Sequence, residues 1–139
     1  MLETPTARAK LVIPSRPEHL HAVRELVENT ASQAGLPPHE VQRVVTAAFE
    51  AVVNAATHGS PLGPENTITV EVYVYTDRLV IEVVDQGPGF KDTRPRQMPG
   101  AASNRGRGIP LMRALMDKVE ITNYDGGKVT LTKYLESGV

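Results

Sequence analysis

The sequence predicts a two-layer α/β sandwich, a mostly antiparallel mixed sheet with helices on one face. Three observations predict it. Residues 67–75 alternate, with Ile68, Val70, Val72 and Val74 on one side and Thr69, Glu71, Tyr73 and Tyr75 on the other, the period of a half-buried strand. Two other stretches, 20–31 and 39–58, carry their apolar residues at helical spacing. The elements then follow as strand, helix, helix, hairpin, long loop, helix, hairpin. Hairpins make antiparallel pairs, and the helices are left to cover one side of the sheet.

"RAKLVIP" at 8–14 is the first strand. In "SRPE", Ser15 is placed to cap, Pro17 to sit in the first turn and Glu18 to complete a capping box. Leu20, Val23, Leu26, Val27 and Ala31 form the buried stripe of the first helix, which Gly35 ends. "LPP" at 36–38 breaks the chain before a second helix, 39–58. Its apolar side is Val41, Val44, Val45, Ala48, Phe49, Val52 and Ala56, and Gly59 suits a left-handed cap. The strand at 67–75 turns through "TDR" into "LVIEVVD", a hairpin. Residues 86–108 are rich in Gly, Pro and Arg, and a loop that long inside one domain is usually functional. "IPLMRALMD" is a short helix, and "KVEITNY" and "KVTLTKY" close a last hairpin around "DGG".

The 139 residues suit one domain, placed at 5–136. Aromatics are 4% and Trp is absent, so Val, Leu, Ile and Ala must build the core. A net charge of −1 argues against bulk nucleic-acid binding. With no cysteine, disulfides and thiolate metal sites are excluded. No apolar run approaches membrane-spanning length and the first residues lack a signal-type apolar segment, so a cytoplasmic location is expected.

Three stretches carry chemistry. In "EAVVNAATHG", Glu50, Asn54 and His58 recur every four residues along one ridge of the second helix. Alone, such a ridge also fits the solvated face of an amphipathic helix. In "VVDQGPGF", Asp85 ends a strand and Gly87 and Gly89 follow. A carboxylate fixed there can accept a hydrogen bond from an exocyclic amine such as that of adenine, and glycines let backbone approach a flat ligand. A tight Asp–Gly turn is the plainer alternative. In "NRGRGIPLM", Gly106 and Gly108 sit where a helix begins, and free amides at a helix start bind phosphate. Lys91, Arg94, Arg96, Arg105 and Arg107 stand against the single acid Asp92 over 91–107, a local excess that suits an anion or a solvated loop. No Walker A motif and no eukaryotic-type kinase signature is present.

Taken together and in this order, "EAVVNAATHG", "DQGPGF" and "GRG" within "NRGRGIPLMRALMDKVEI" resemble the N box and two glycine boxes of the GHKL, or Bergerat-fold, ATPases. The resemblance spans roughly residues 8 to 135, and its details are similar to the bacterial anti-sigma factor serine-protein kinases of the RsbW type. By that resemblance the cofactors are ATP and Mg²⁺. Asn54 would hold the magnesium, Glu50 would act as general base or orient the attacking hydroxyl, Asp85 would read the adenine amine, and Gly87 and Gly89 would shape its pocket. Gly106 and Gly108 would cradle phosphates, and Arg105 and Arg107 both suit a γ-phosphate or a partner-binding role. Such proteins phosphorylate a serine of a STAS-domain anti-anti-sigma partner and, as homodimers, bind a sigma factor. Lys128 stands where a pocket threonine is expected, which makes Thr130 or Thr132 the replacement, of which only one is expected to fit. Two alternatives share the site: a non-enzymatic nucleotide-responsive switch, and the catalytic half of a split histidine kinase.

Overall fold

Alternating valines pair as their period requires. The computed structural model describes residues 3–87, 104–123 and 126–136, with side chains except at 64 and 104–107. The elements are β1 (Ala7–Pro14), α1 (Leu20–Gln33), α2 (Pro38–His58), β2 (Thr67–Val74), β3 (Arg78–Val84), α3 (Asn104–Leu115), β4 (Lys118–Asn123) and β5 (Gly127–Tyr134). The sheet order is β1-β2-β3-β5-β4. Every neighbouring pair is antiparallel, so the expected mixed sheet has no parallel pair among the described residues.

Ile68, Val70 and Val72 of β2, Leu79, Ile81 and Val83 of β3 and Val129 and Leu131 of β5 are buried on the inner face. Branched side chains suit a pleated surface packed against helices. Val23 and Val27 of α1, Val44, Val45 and Val52 of α2 and Met112 of α3 meet them from above. α2 is the middle helix, packed against both α1 and α3. That position corrects the expected apolar side of α2. Phe49 and Ala56 are only partly buried, whereas Ala47, Ala51 and Ala55 are fully covered. A helix with neighbours on both flanks buries a wider sector, and small residues let the flanking helices come close.

Element ends depart from expectation in three places. The "SRPE" capping box does not form: neither the 3₁₀ turn Pro17–His19 nor α1 has a side-chain cap, and Ser15 Oγ is buried without a partner among the described residues. α1 ends as expected at Gly35, whose φ of 96° is left-handed; Gly35 N donates to Ser32 O at 3.0 Å and Leu36 N to Ala31 O at 3.3 Å. Gly59, in contrast, has φ −104° and is not left-handed. α3 starts at Asn104, earlier than the expected 109, so Gly106 and Gly108 lie inside the helix and Pro110 interrupts its hydrogen bonds.

The outer face of the sheet is polar at its centre. Glu71 and Glu82 are direct cross-strand partners, an unfavourable like-charge pair. Cations and a phenol offset it: Arg8 Nη2 lies 3.2 Å and Tyr73 Oη 2.6 Å from Glu71 Oε2, and Lys128 Nζ lies 3.0 Å from Glu82 Oε2. Burial and the Glu71 carboxylate push the Tyr73 hydroxyl up to about 12. No described helix is long and apolar enough to cross a membrane.

Leu131 is completely buried, and Leu131→Ala is expected to lower the unfolding free energy by about 2–5 kcal/mol, measured by urea denaturation. Lys133 Nζ, 2.7 Å from Glu40 Oε2, ties the first turn of α2 to β5 and holds the Glu40 carboxyl below its ordinary value. A carboxyl depressed in the folded state adds stability above its unfolded pKa of about 4.3 and loses it as the pH falls further. Glu40→Gln should therefore lower the urea midpoint at pH 7 and leave little difference at pH 3.

Candidate functional site

Glu50 and Asn54 are half-buried, and their successors Ala51 and Ala55 are buried. The polar ridge thus stands at the margin of the covered sector rather than opposite it, and it faces α3. Arg43, near the start of α2, donates from Nη2 to Ala114 O at the end of α3, 3.1 Å away. Near the other end of α2, the Asn54 amide lies on Gly108 in the first half of α3. A Cβ built on Gly108 would stand 2.5 Å from Asn54 Nδ2 and 3.1 Å from Oδ1. The two helices therefore run in opposite directions, and position 108 admits no side chain unless the Asn54 amide moves.

Asp85 continues the inward series Leu79, Ile81 and Val83 past the end of β3, so its carboxylate arrives on the helix side of the sheet, 8% exposed. Oδ1 accepts from Gly87 N and Gly127 N, both at 2.9 Å, and Asp85 N donates to Gly127 O at 2.9 Å. Oδ2 takes no hydrogen bond among the described residues. It lies over Gly59, where any Cβ would collide with the carboxylate. Gly87 packs just as closely, a Cβ there falling 2.5 Å from Gly59 Cα. At Gly126, with φ 131°, a Cβ would collide with the Asp85 carbonyl. The end of α2, the first glycine box and the last hairpin therefore meet at one carboxylate.

Of the residues picked from sequence, Asn54 meets Gly108, and Asp85 meets Gly87. Glu50 lies one turn before Asn54 on the same ridge. Thr130 is not with them. It stands on the outer face of β5, between Glu82 and Glu120, and Thr132, two residues on, shares that face rather than offering an alternative. Lys128 also points outward, paired with Glu82, so Gly127 is the β5 residue beside Asp85. Gly89, Lys91, Arg94 and Arg96, and the side chains of Arg105 and Arg107, lie outside the described residues; Gly106 is within the α3 backbone.

Sequence reasoning missed Gly59, Gly126 and Gly127 as parts of the site. Their only signal was glycine at an element end. It also missed Asn66 and Gln86, whose side chains bond each other beside Asp85 at 3.2 Å. No group of three His, Cys, Asp or Glu able to hold a metal exists among the described residues. A magnesium at Asn54 would take one protein oxygen and fill its shell from phosphate and water, which is the usual habit of that ion.

The histidine kinase-like ATPase domain family matches residues 13–133. The protein named serine-protein kinase RsbW of Bacillus subtilis (strain 168) is 30% identical over 135 residues, covering 91% of this chain and 84% of that protein. Two solved structures share the fold. The RsbU and RsbW domains of Rv1364c from Mycobacterium tuberculosis superpose with a TM-score of 0.70 at 20% identity, over 93% of this chain and 32% of that one. The catalytic domain of histidine kinase ThkA superposes with a TM-score of 0.57 at 12% identity, over 91% of this chain and 97% of that one. The family match runs from the end of β1 almost to the end of β5, over the same segments that bring Asn54 to Gly108 and Asp85 to Gly59, Gly87, Gly126 and Gly127. The chain is thus a member of the histidine kinase-like ATPase family, in the company of the RsbW serine-protein kinases.

Proposed function

We propose that residues 5–136 form a single ATP-binding kinase domain that acts in the cytoplasm as an anti-sigma factor. It phosphorylates a serine on a STAS-domain anti-anti-sigma protein and, as a homodimer, sequesters a sigma factor. The single observation that supports this most is the close fit of glycines around Asn54 and Asp85. The chain gives up side chains at 59, 87 and 108, each where a Cβ would displace a site group. Solvated surface carboxylates and amides do not need such clearance. The cleared ground fits a nucleotide, with Asp85 Oδ2 left as an acceptor on the helix side.

Bound Mg-ATP would supply the phosphoryl group and the metal charge that offsets it. The chain's own groups then divide the work. Asp85 accepts a hydrogen bond from an exocyclic amine of the base, and Gly87 leaves room for the ring, a role the family resemblance gives to Gly89 as well. Asn54 would hold the magnesium through its side-chain oxygen. Gly106 and Gly108 let the α3 backbone come close to the phosphates, where Arg105 or Arg107 would supply positive charge. Glu50, one helical turn from Asn54, receives the proton of the serine hydroxyl, a role worth about 10²–10⁴ in rate. Thr130, on the outer face, has no part in it.

The test mixes the purified protein with Mg-ATP and the STAS-domain proteins of the same genome. Transfer giving an acid-stable phosphoserine is expected. An acid-labile phosphoprotein would point to a histidine kinase instead, and no transfer to any partner would refute the kinase reading. Asn54→Ala should lose the magnesium-dependent part of nucleotide affinity in titration calorimetry. Glu50→Gln should bind nucleotide as the parent does while transfer falls about 10²–10⁴-fold. Equal transfer rates would remove Glu50 as the base.

A further inference from the structure

The segment between α2 and β2 closes on a side chain that the preceding roles do not use. Asn66 is 6% exposed. Its carbonyl accepts from Ser15 N at 2.9 Å, just past β1, and its N donates to Gly63 O at 3.0 Å. Its Oδ1 accepts from Leu62 N at 2.6 Å, and its Nδ2 donates to Gln86 Oε1 at 3.2 Å. The same Gln86 oxygen accepts from Thr67 N, the first residue of β2, at 2.7 Å. Gln86 stands between Asp85 and Gly87. Its side chain reaches back to β2 while its two neighbours form the turn in which Gly87 N donates to Asp85 Oδ1.

This geometry constrains the turn from two sides. On the β5 side, Asp85 N, Asp85 Oδ1 and Gly127 fix the strand end. A short Asp-to-amide turn held on that side alone is free to pivot about the strand end. The Gln86 contacts supply the opposite anchor, on a residue itself fixed by Ser15 and Leu62. Both are acceptances by one oxygen, and the Gln86 amide nitrogen makes no hydrogen bond among the described residues. The function of this side chain is therefore that of an acceptor.

We propose that Gln86 is a positioning residue: its side-chain oxygen, clasped by Asn66 and Thr67, fixes the Asp85–Gly87 segment so that Asp85 Oδ2 addresses the base of a bound nucleotide. This deepens the nucleotide-binding reading above and rests on it. Gln86 touches no substrate in this scheme. It acts through Asp85 and makes the site selective for a base that carries an exocyclic amine at the point Oδ2 faces.

The acceptor logic separates two variants. Gln86→Leu removes the oxygen. Gln86→Glu keeps it and can accept both donors. Gln86 is exposed, so neither change opens a core cavity, and both proteins should unfold cooperatively near the parent's temperature. Titration calorimetry with Mg-ATP and Mg-GTP, and hydrogen exchange at the Gly87 amide by NMR, are read on all three full-length chains. Gln86→Leu is expected to weaken Mg-ATP binding about 10- to 100-fold, the range for losing an orienting outer contact, and to narrow the ATP-over-GTP preference. It should also speed Gly87 exchange, while Gln86→Glu resembles the parent in all three readouts. If Gln86→Leu binds and discriminates as the parent does, the proposal is overturned. If the parent binds neither nucleotide, the nucleotide reading falls by itself, and the Gly87 exchange still decides whether the clasp holds the turn. Faster exchange in Gln86→Leu alone supports the clasp, and unchanged exchange refutes it.

Discussion

Most of this structure depends on where one buried carboxylate is allowed to stand. Asp85 leaves β3 on the inward phase of the pleat, so a charged group arrives where Leu79, Ile81 and Val83 have been apolar. Bringing a charge to that side is costly unless donors meet it. The amides of Gly87 and Gly127 do so, and because both bond the same oxygen, the second oxygen stays available. The arrangement requires α2 to stop at Gly59 and the last hairpin to turn at Gly126, since any side chain there would collide with Asp85. Three connections that are distant in sequence are thus fixed by one group.

The two faces of the sheet divide the remaining demands. The inner face is apolar, and α2 lies over its middle with α1 and α3 on either flank. Its buried alanines let α3 approach closely enough for Gly108 to touch the Asn54 amide. The outer face carries the charged rows, and its unfavourable Glu71–Glu82 pairing is compensated locally by Arg8, Tyr73 and Lys128. On the helix side the polar groups of the candidate site gather at the margin where α2, α3 and the strand ends meet, and the Glu40–Lys133 pair stands apart at the start of α2.

Sequence periodicity revealed the scaffold well because strand signals here are strong. Ile68, Val70, Val72 and Val74 fix both the strand and its inward face, and all four are buried. The order of elements then implied the hairpins. Element ends were harder, since they are set by contacts far along the chain. Gly59 resembles a left-handed cap in sequence, yet its backbone is ordinary and its glycine is demanded by a carboxylate 26 positions later. The start of α3 was hidden by Gly106, Gly108 and Pro110, residue types that disfavour a helix interior. Motif spacing picked out Asn54, Asp85, Gly87 and Gly108, and the fold brings Asn54 to Gly108 and Asp85 to Gly87. Thr130 failed because spacing from a turn does not fix strand phase: one residue of offset exchanges the faces. Asn66 and Gln86 escaped notice because neither is unusual beside a turn, and only tertiary structure brings them together.

The buried row Ala47, Ala51 and Ala55 has an implication for how this protein tolerates change. It forms the seam against which α3 rests, and Glu50 and Asn54 are its immediate neighbours in sequence. A bulkier residue on that seam would widen the gap between helices by fractions of an ångström, an insult a valine-rich interior can partly absorb by repacking. The polar margin has no such slack, because Gly108 already touches the Asn54 amide. Mutational robustness is therefore uneven: drift along this seam would detune ligand geometry while the molecule still looked well folded.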